Sequence, residues 1–195
     1  NLLIIIYFQM CGINGIIFKK NILEFEKITH MNSLLAHRGP DFSGTLSHKN
    51  ILLGHTRLSI IDLAPEANQP MIDNKNDLVI SYNGEIYNYK ELRSDLIKKG
   101  HNFDTLSDTE VVLKMYQEYR YNMLEKLNGI FAFAIWDKKN KQLFIARDNF
   151  GVKPLYYYSE DNKFIFSSEI KAMEELVSIK KDVDTAAVHN YLNYL

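Results

Sequence analysis

Ile130-Phe131-Ala132-Phe133-Ala134-Ile135-Trp136, Gln142-Leu143-Phe144-Ile145-Ala146-Arg147, Leu155-Tyr156-Tyr157-Tyr158-Ser159 and Lys163-Phe164-Ile165-Phe166-Ser167 follow one another with only short breaks between them. Each run is short, apolar or aromatic, and bounded by polar residues, the pattern of successive strands. Asp137-Lys138-Lys139-Asn140 and Glu160-Asp161-Asn162 supply the turns. Two helical stretches lie upstream. Asn88 followed by Glu91 marks the start of one, Leu92 and Leu96 share its face, and Gly100 follows its basic end Lys98-Lys99. Ser107-Asp108-Thr109-Glu110 fits a capping box that opens the second, with Val111, Val112, Met115 and Tyr119 behind it.

Further upstream, Ile13 to Phe18 reads as a strand interrupted by Asn14 and Gly15. Phe25, Ile28, Met31 and Leu35 recur at helical spacing. Ser43 to Ser47 and Ile51 to Thr56 read as a strand pair, Ala64 to Asp77 as a loop, and Leu78 to Tyr82 as a strand running into the turn dipeptide Asn83-Gly84. Strand runs on both sides of two central helices argue for two sheets with layered helices, not an alternating parallel βαβ fold.

A chain of 195 residues favours one domain and can bury a sizeable core. With 23 Lys and Arg against 24 Asp and Glu, the net charge is -1, so no basic excess draws it to nucleic acid or an anionic membrane. The most apolar run, Leu2 to Phe8, is far shorter than the ~20 residues a membrane span needs. One cysteine excludes an intrachain disulfide and suits a reducing cytoplasm. Residues 1 to 9, ending Tyr7-Phe8-Gln9, read as a tag remnant ahead of an initiator Met10; the alternative is a genuine N-terminal strand.

That choice bears on chemistry. Removal of Met10 would leave Cys11 with a free α-amine, whose pKa of ~7.7–8.0 suits a base at neutral pH. Such an amine can activate the thiol of its own residue without a histidine. The structural alternative is a buried cysteine acting as a small hydrophobe. His30, His37, His48, His55, His101 and His189 contain no H-x-x-x-H pair, and no metal-binding spacing is present. No phosphate-cradling motif occurs either.

Several segments in order resemble a known family: Cys11-Gly12-Ile13, His37-Arg38-Gly39-Pro40-Asp41, Gly54 to Asp62, Asn83 to Asn88, Ser107 to Glu110, Gly129 to Ala134 and Arg147 to Tyr156. Together, across residues 11 to 195, they resemble the glutaminase domain of glutamine-hydrolysing asparagine synthetases. These are class II amidotransferases within the N-terminal-nucleophile (Ntn) hydrolases. The resemblance implies an α+β fold, a four-layer αββα sandwich of two antiparallel sheets.

It also implies roles. Cys11 would be the nucleophile, with the Asn83 amide and the Gly84 N–H as oxyanion donors; the bland alternative for Asn83-Gly84 is a hairpin turn. Arg57 would hold the α-carboxylate of L-glutamine, with the backbone of Leu58, Ile60 and Ile61 lining the pocket. Asp108 would bind the α-ammonium, assisted by Glu85. Arg147-Asp148 and Lys153-Pro154-Leu155 are read as turn structure, and His37 to Asp41 receive no chemistry. The chain is thus expected to hydrolyse glutamine through a Cys11 thioester and to serve a C-terminal synthetase domain that adds the ammonia to ATP-activated aspartate. The pyrophosphate-binding Ser-Gly-Gly of that domain does not occur here, and the chain looks cut near the terminal helical stretch ending at Leu195. No cofactor is expected in residues 11 to 195, ATP and Mg belonging to the other domain, and no metal. The resemblance leaves room for a homodimer, and for an acceptor other than aspartate, such as a sugar or antibiotic precursor. Two other readings, an inert scaffold and a cysteine hydrolase of other amides, fit less well with an intact Cys11 and with a paired Arg57 and Asp108.

Overall fold

The computed structural model describes residues 10–20, 24–59, 64–177 and 182–194. The chain enters through β1 (Gly12–Phe18), turns into α1 (Phe25–Leu34) and returns as the hairpin β2 (Phe42–His48) and β3 (Ile51–Arg57). A single 3-10 turn (Pro65–Ala67) leads to β4 (Met71–Asp73) and the long β5 (Leu78–Ile86). Then come α2 (Tyr89–Lys98), α3 (Asp108–Tyr119), β6 (Gly129–Asp137), β7 (Gln142–Arg147), β8 (Tyr156–Glu160), β9 (Lys163–Ser167) and α4 (Thr185–Tyr194).

The strands form a five-stranded sheet, β2-β3-β1-β9-β8, and a four-stranded sheet, β4-β5-β6-β7. Every pairing in both is antiparallel. Antiparallel sheets follow here because the connections are mostly hairpins, which cannot join parallel neighbours. The two sheets bury Ile13, Leu53, Val79, Ala134, Trp136 and Phe166 between them. Outside the first sheet, Ile28, Met31 and Leu35 of the α1 region pack on Ile16, Leu52 and Ile165. Outside the second, Leu96 of α2 and Val112, Met115 and Tyr116 of α3 cover Ile80, Tyr82 and Phe133. The layers therefore run helix, sheet, sheet, helix, the αββα sandwich that the family resemblance implies.

Five local readings need correction. Ala64 to Asp77 is not all loop, because Met71–Asp73 pairs with Leu78 to Ile80 as an edge strand. Three residues carry too little periodicity to announce themselves. Asn83-Gly84 is no hairpin turn. β5 runs straight through it, with Asn83 opposite Ala132 and Gly84 opposite Phe131. A Cβ on Gly84 would lie 2.6 Å from the Ile130 carbonyl and 2.8 Å from Phe131 Cα, so the glycine serves close strand approach. The capping box is half present. Ser107 Oγ accepts from the Glu110 N–H at 3.3 Å, but the Glu110 carboxylate accepts from the Asp104 and Thr105 N–H groups instead of from Ser107. Asn88 begins α2 without capping it, its side chain being engaged by Lys126 and Asn128. Phe25, expected on the buried face of α1, is 48% exposed at its first position.

Candidate active site

The antiparallel register that sets Gly12 opposite Thr56 brings the start of β1 beside the end of β3. Cys11 therefore lies next to Arg57 and Leu58. The Leu58 N–H donates to Cys11 Sγ at 3.3 Å, and the thiol faces the Leu58 carbonyl at 3.5 Å. Arg38 Nε donates to the Cys11 carbonyl at 3.1 Å, while its Nη1 reaches Glu169 at 3.0 Å. The residue that carries the thiol is thus fixed by backbone and side-chain bonds from two separate segments, one of them anchored by Glu169.

A cleft of about 710 Å³, its open mouth included, lies over Cys11. Among the described residues, Arg57, Leu58, Asn83, Gly84, Glu85 and Asp108 line the same cleft. Ile60 and Ile61 lie outside the described residues. Residues far apart in the chain converge because one end of each sheet, the N-terminus of α3 and the loop after β7 meet there.

The Asn83 side chain is 2% exposed, and its Nδ2 is buried with no hydrogen-bond partner among the described residues. A buried unsatisfied donor costs ~1–3 kcal/mol and calls for an explanation. Asp108 has its carboxylate fastened: the Tyr82 hydroxyl donates at 2.6 Å and the Ile86 N–H at 3.1 Å to the same oxygen. Burial raises the Asp108 pKa, and those donors hold the rise back. Tyr82 is held in turn by Gln69, whose Oε1 accepts from the Tyr82 N–H at 2.6 Å. Arg57 donates to Asn68 Oδ1 at 2.5 Å and to the Ala64 carbonyl at 3.2 Å, bonds that orient its guanidinium along the cleft wall.

Burial also raises the Cys11 pKa above that of an ordinary thiol; the Leu58 N–H, Arg57, Lys153 and Arg38 act the other way without prevailing. The thiol is thus protonated at neutral pH and needs a base. No histidine lines the cleft among the described residues. His55, fully buried between the sheets, is lowered to about 4 by desolvation, with its Nε2 3.0 Å from the Tyr82 carbonyl. It stays neutral and away from the reaction.

The sequence offers no chemical role for two residues beside Cys11. Arg38 was given no chemistry, yet it grips the Cys11 carbonyl. Lys153 was read as part of a turn, yet it lines the cleft, with its Nζ 3.2 Å from Met10 Sδ. Their presence in matched motifs was the only signal in the sequence; the contacts span 27 and 143 positions.

The two-sheet αββα sandwich thus carries Cys11 at the head of β1, a central strand of its first sheet. Solved structures share it: glutamine phosphoribosylpyrophosphate amidotransferase from Bacillus subtilis superposes with a TM-score of 0.70 at 24% identity, over 84% of this chain and 43% of that one. A structure of the allosteric regulatory enzyme of purine biosynthesis gives 0.72 at 22% identity, with the same coverage of 84% and 43%. The chain belongs to the glutamine amidotransferase domain family, whose model matches residues 10–195. It is 45% identical to asparagine synthetase 3 (glutamine-hydrolyzing) of Bacillus subtilis, over 90% of this chain and 29% of that protein. Identity is 42% to a putative asparagine synthetase 2 of Methanocaldococcus jannaschii, over 93% of this chain and 39% of that protein. For asparagine synthetase B of Escherichia coli it is 40%, over 84% and 30%. The chain thus spans roughly a third of the length of these relatives. Among the described residues, no helix is long and apolar enough to cross a membrane.

Proposed function

We propose that this domain, once its chain begins at Cys11, hydrolyses L-glutamine to L-glutamate and ammonia through a thioester on Cys11. The observation that supports this reading most is the buried, unpartnered Asn83 Nδ2 in the wall of the cleft that holds the thiol. An oxyanion hole needs such a donor waiting for charge that appears only in the transition state.

Cys11 Sγ attacks the side-chain amide carbon, and the α-amine of the same residue takes the thiol proton. The resulting oxyanion accepts hydrogen bonds from Asn83 Nδ2 and the Gly84 N–H. Collapse breaks the C–N bond, the amine returns the proton to the leaving nitrogen, and ammonia departs. Water then attacks the thioester and releases glutamate. Arg57 pairs with the α-carboxylate and Asp108, with Glu85, with the α-ammonium. Leu58 lines the pocket, and Ile60 and Ile61 are assigned beside it. The domain itself needs no cofactor or metal in this scheme.

In the whole protein the ammonia would pass to a C-terminal synthetase domain that forms asparagine from ATP-activated aspartate in the cytoplasm; the relatives named as glutamine-hydrolyzing asparagine synthetases support the step to asparagine. A second reading keeps the glutaminase and changes the acceptor. One relative, 40% identical over 149 residues, is named amidase chry2 of Gibberella zeae.

The test uses a chain shown by mass to begin at Cys11. It should release ammonia and glutamate in equal amounts from glutamine, and a glutamine-analogue chloroketone should add one adduct, on Cys11. Cys11→Ala should fold with the same circular dichroism and release no ammonia. Normal ammonia release by that variant would overturn the reading.

A further inference from the structure

Lys153 sits on the loop between β7 and β8, and that loop is fastened unusually firmly. Asp148 Oδ2 accepts from the Phe131 N–H at 3.2 Å and the Lys153 N–H at 3.0 Å, while Oδ1 accepts from the Val152 N–H at 2.9 Å. Gly151 turns the chain at φ +63°, and the Arg147 guanidinium donates to its carbonyl at 2.7 Å. Phe131 is the cross-strand partner of Gly84. One carboxylate thereby sets the position of Lys153 relative to the Asn83-Gly84 segment.

The ammonium so placed has a poor partner. Its one hydrogen bond among the described residues runs to Met10 Sδ, and a thioether is a weak acceptor. Arg38, the other cation on this side of Cys11, is paired with Glu169. Arg57 is engaged by Asn68 and Ala64. Lys153 is half-buried, and burial with Arg38 nearby lowers its pKa, while Cys11, Glu85 and Asp148 raise it. Of these three cations, Lys153 is the one whose ammonium hydrogen-bonds, among the described residues, to a thioether alone, and it reaches the residue whose removal exposes the α-amine.

We propose that Lys153 is a positioning residue whose ammonium keeps the α-amine of a chain beginning at Cys11 in its neutral, proton-accepting form. The inference rests on the proposed function, since it needs Cys11 to be the first residue. A fixed cation disfavours a second positive charge nearby, so the amine gives up its proton at a lower pH than a free N-terminus does. The same charge favours the Cys11 thiolate as the proton moves to the amine. The charged and titratable groups around the thiol are then Arg38, Arg57 and Lys153 on the positive side, Glu85 and Asp108 on the negative side, and the Tyr82 hydroxyl, which is bound to Asp108.

The experiment is the pH dependence of kcat/KM for glutamine in chains that begin at Cys11, with the rate of chloroketone inactivation measured in parallel. In the parent, the acid limb should lie below the ordinary α-amine value of ~7.7–8.0. Lys153→Met should move that limb upward by about one pH unit in both measurements. At the alkaline plateau it should regain most of the parent rate, whereas Lys153→Arg should keep the parent limb. Lys153→Gln, polar and of similar length, should behave as Lys153→Met does and covers the case in which Met disturbs the fold. An acid limb unmoved in both Met and Gln variants, with rates lowered evenly at every pH, would overturn the proposal while leaving the glutaminase reading intact. A parent chain that neither turns over nor is labelled at Cys11 would overturn both, and it would do so before any Lys153 variant is made.

Discussion

At the scale of single residues, the proposed mechanism separates groups that bind glutamine from groups that act on developing charge. Asn83→Ala removes the waiting donor, so kcat should fall ~10²–10³ while the glutamine KM changes little. In the proposed mechanism Arg57 and Asp108 hold substrate charges that do not change during the reaction, so Arg57→Ala and Asp108→Asn should mainly raise KM. Asn is the better replacement for Asp108. Alanine would strip the acceptor from the Tyr82 hydroxyl and the Ile86 N–H, at ~1–3 kcal/mol of stability. Steady-state kinetics separates the outcomes: an Asn83→Ala enzyme altered only in KM would remove Asn83 from the oxyanion site. Cys11, Asn83, Gly84, Arg57 and Asp108 could be named from the sequence because each stands in a motif with a known logic. Arg38 and Lys153 could not, because their chemistry lies in contacts across 27 and 143 positions.

At the scale of elements, β5 is where sequence and structure part most clearly. Asn-Gly after a strand ordinarily signals a hairpin, because both residues tolerate positive φ. Here neither has positive φ, and nine residues of β5 pair continuously with β6. What prevails is tertiary: β6 offers a pairing partner along the full length, apolar from Ile130 to Trp136, while Gly84 lets the two backbones approach. Gly84→Ala should therefore cost roughly 1–3 kcal/mol by overpacking, and it should disturb the oxyanion donor at the same residue. A lowered melting temperature with kcat reduced more than KM is the expected pair of readings. The longer strands and α1, α2 and α3 were legible because their periodicity spans several turns or alternations. β4 was not, since its pairing with β5 is decided by the neighbour and not by its own three residues. The loop after β7 shows a further element-scale effect. Burial alone would raise the Asp148 pKa, but the N–H groups of Lys153, Val152 and Phe131 more than reverse it and leave it lowered. A carboxylate whose folded pKa lies below its unfolded value contributes stability that is present at neutral pH and lost as pH falls through that lowered value. Denaturation midpoints followed from pH 6 down to about pH 3 should fall less steeply for Asp148→Asn than for the parent. Parallel curves would show that the carboxylate charge contributes nothing.

At the scale of the whole molecule, the two sheets place the N-terminal end of β1 at the cleft, so a chain cut to begin at Cys11 would start at the site. Met10 lines that cleft and lies against Lys153. With residue 10 attached, the Cys11 nitrogen is an amide, which has no basic lone pair, and the thiol, raised by burial, keeps its proton. Among the described residues no histidine is at hand to replace the amine. The 195-residue chain should therefore bind glutamine poorly and hydrolyse it at a negligible rate. The chain cut to begin at Cys11 should turn over, with an acid limb belonging to its amine. Intact mass fixes the first residue of each chain, and ammonia release compares them. Equal rates from both would mean that the α-amine is not the base. Lys153, whose pKa burial already lowers, would then be the first group to examine as the proton acceptor.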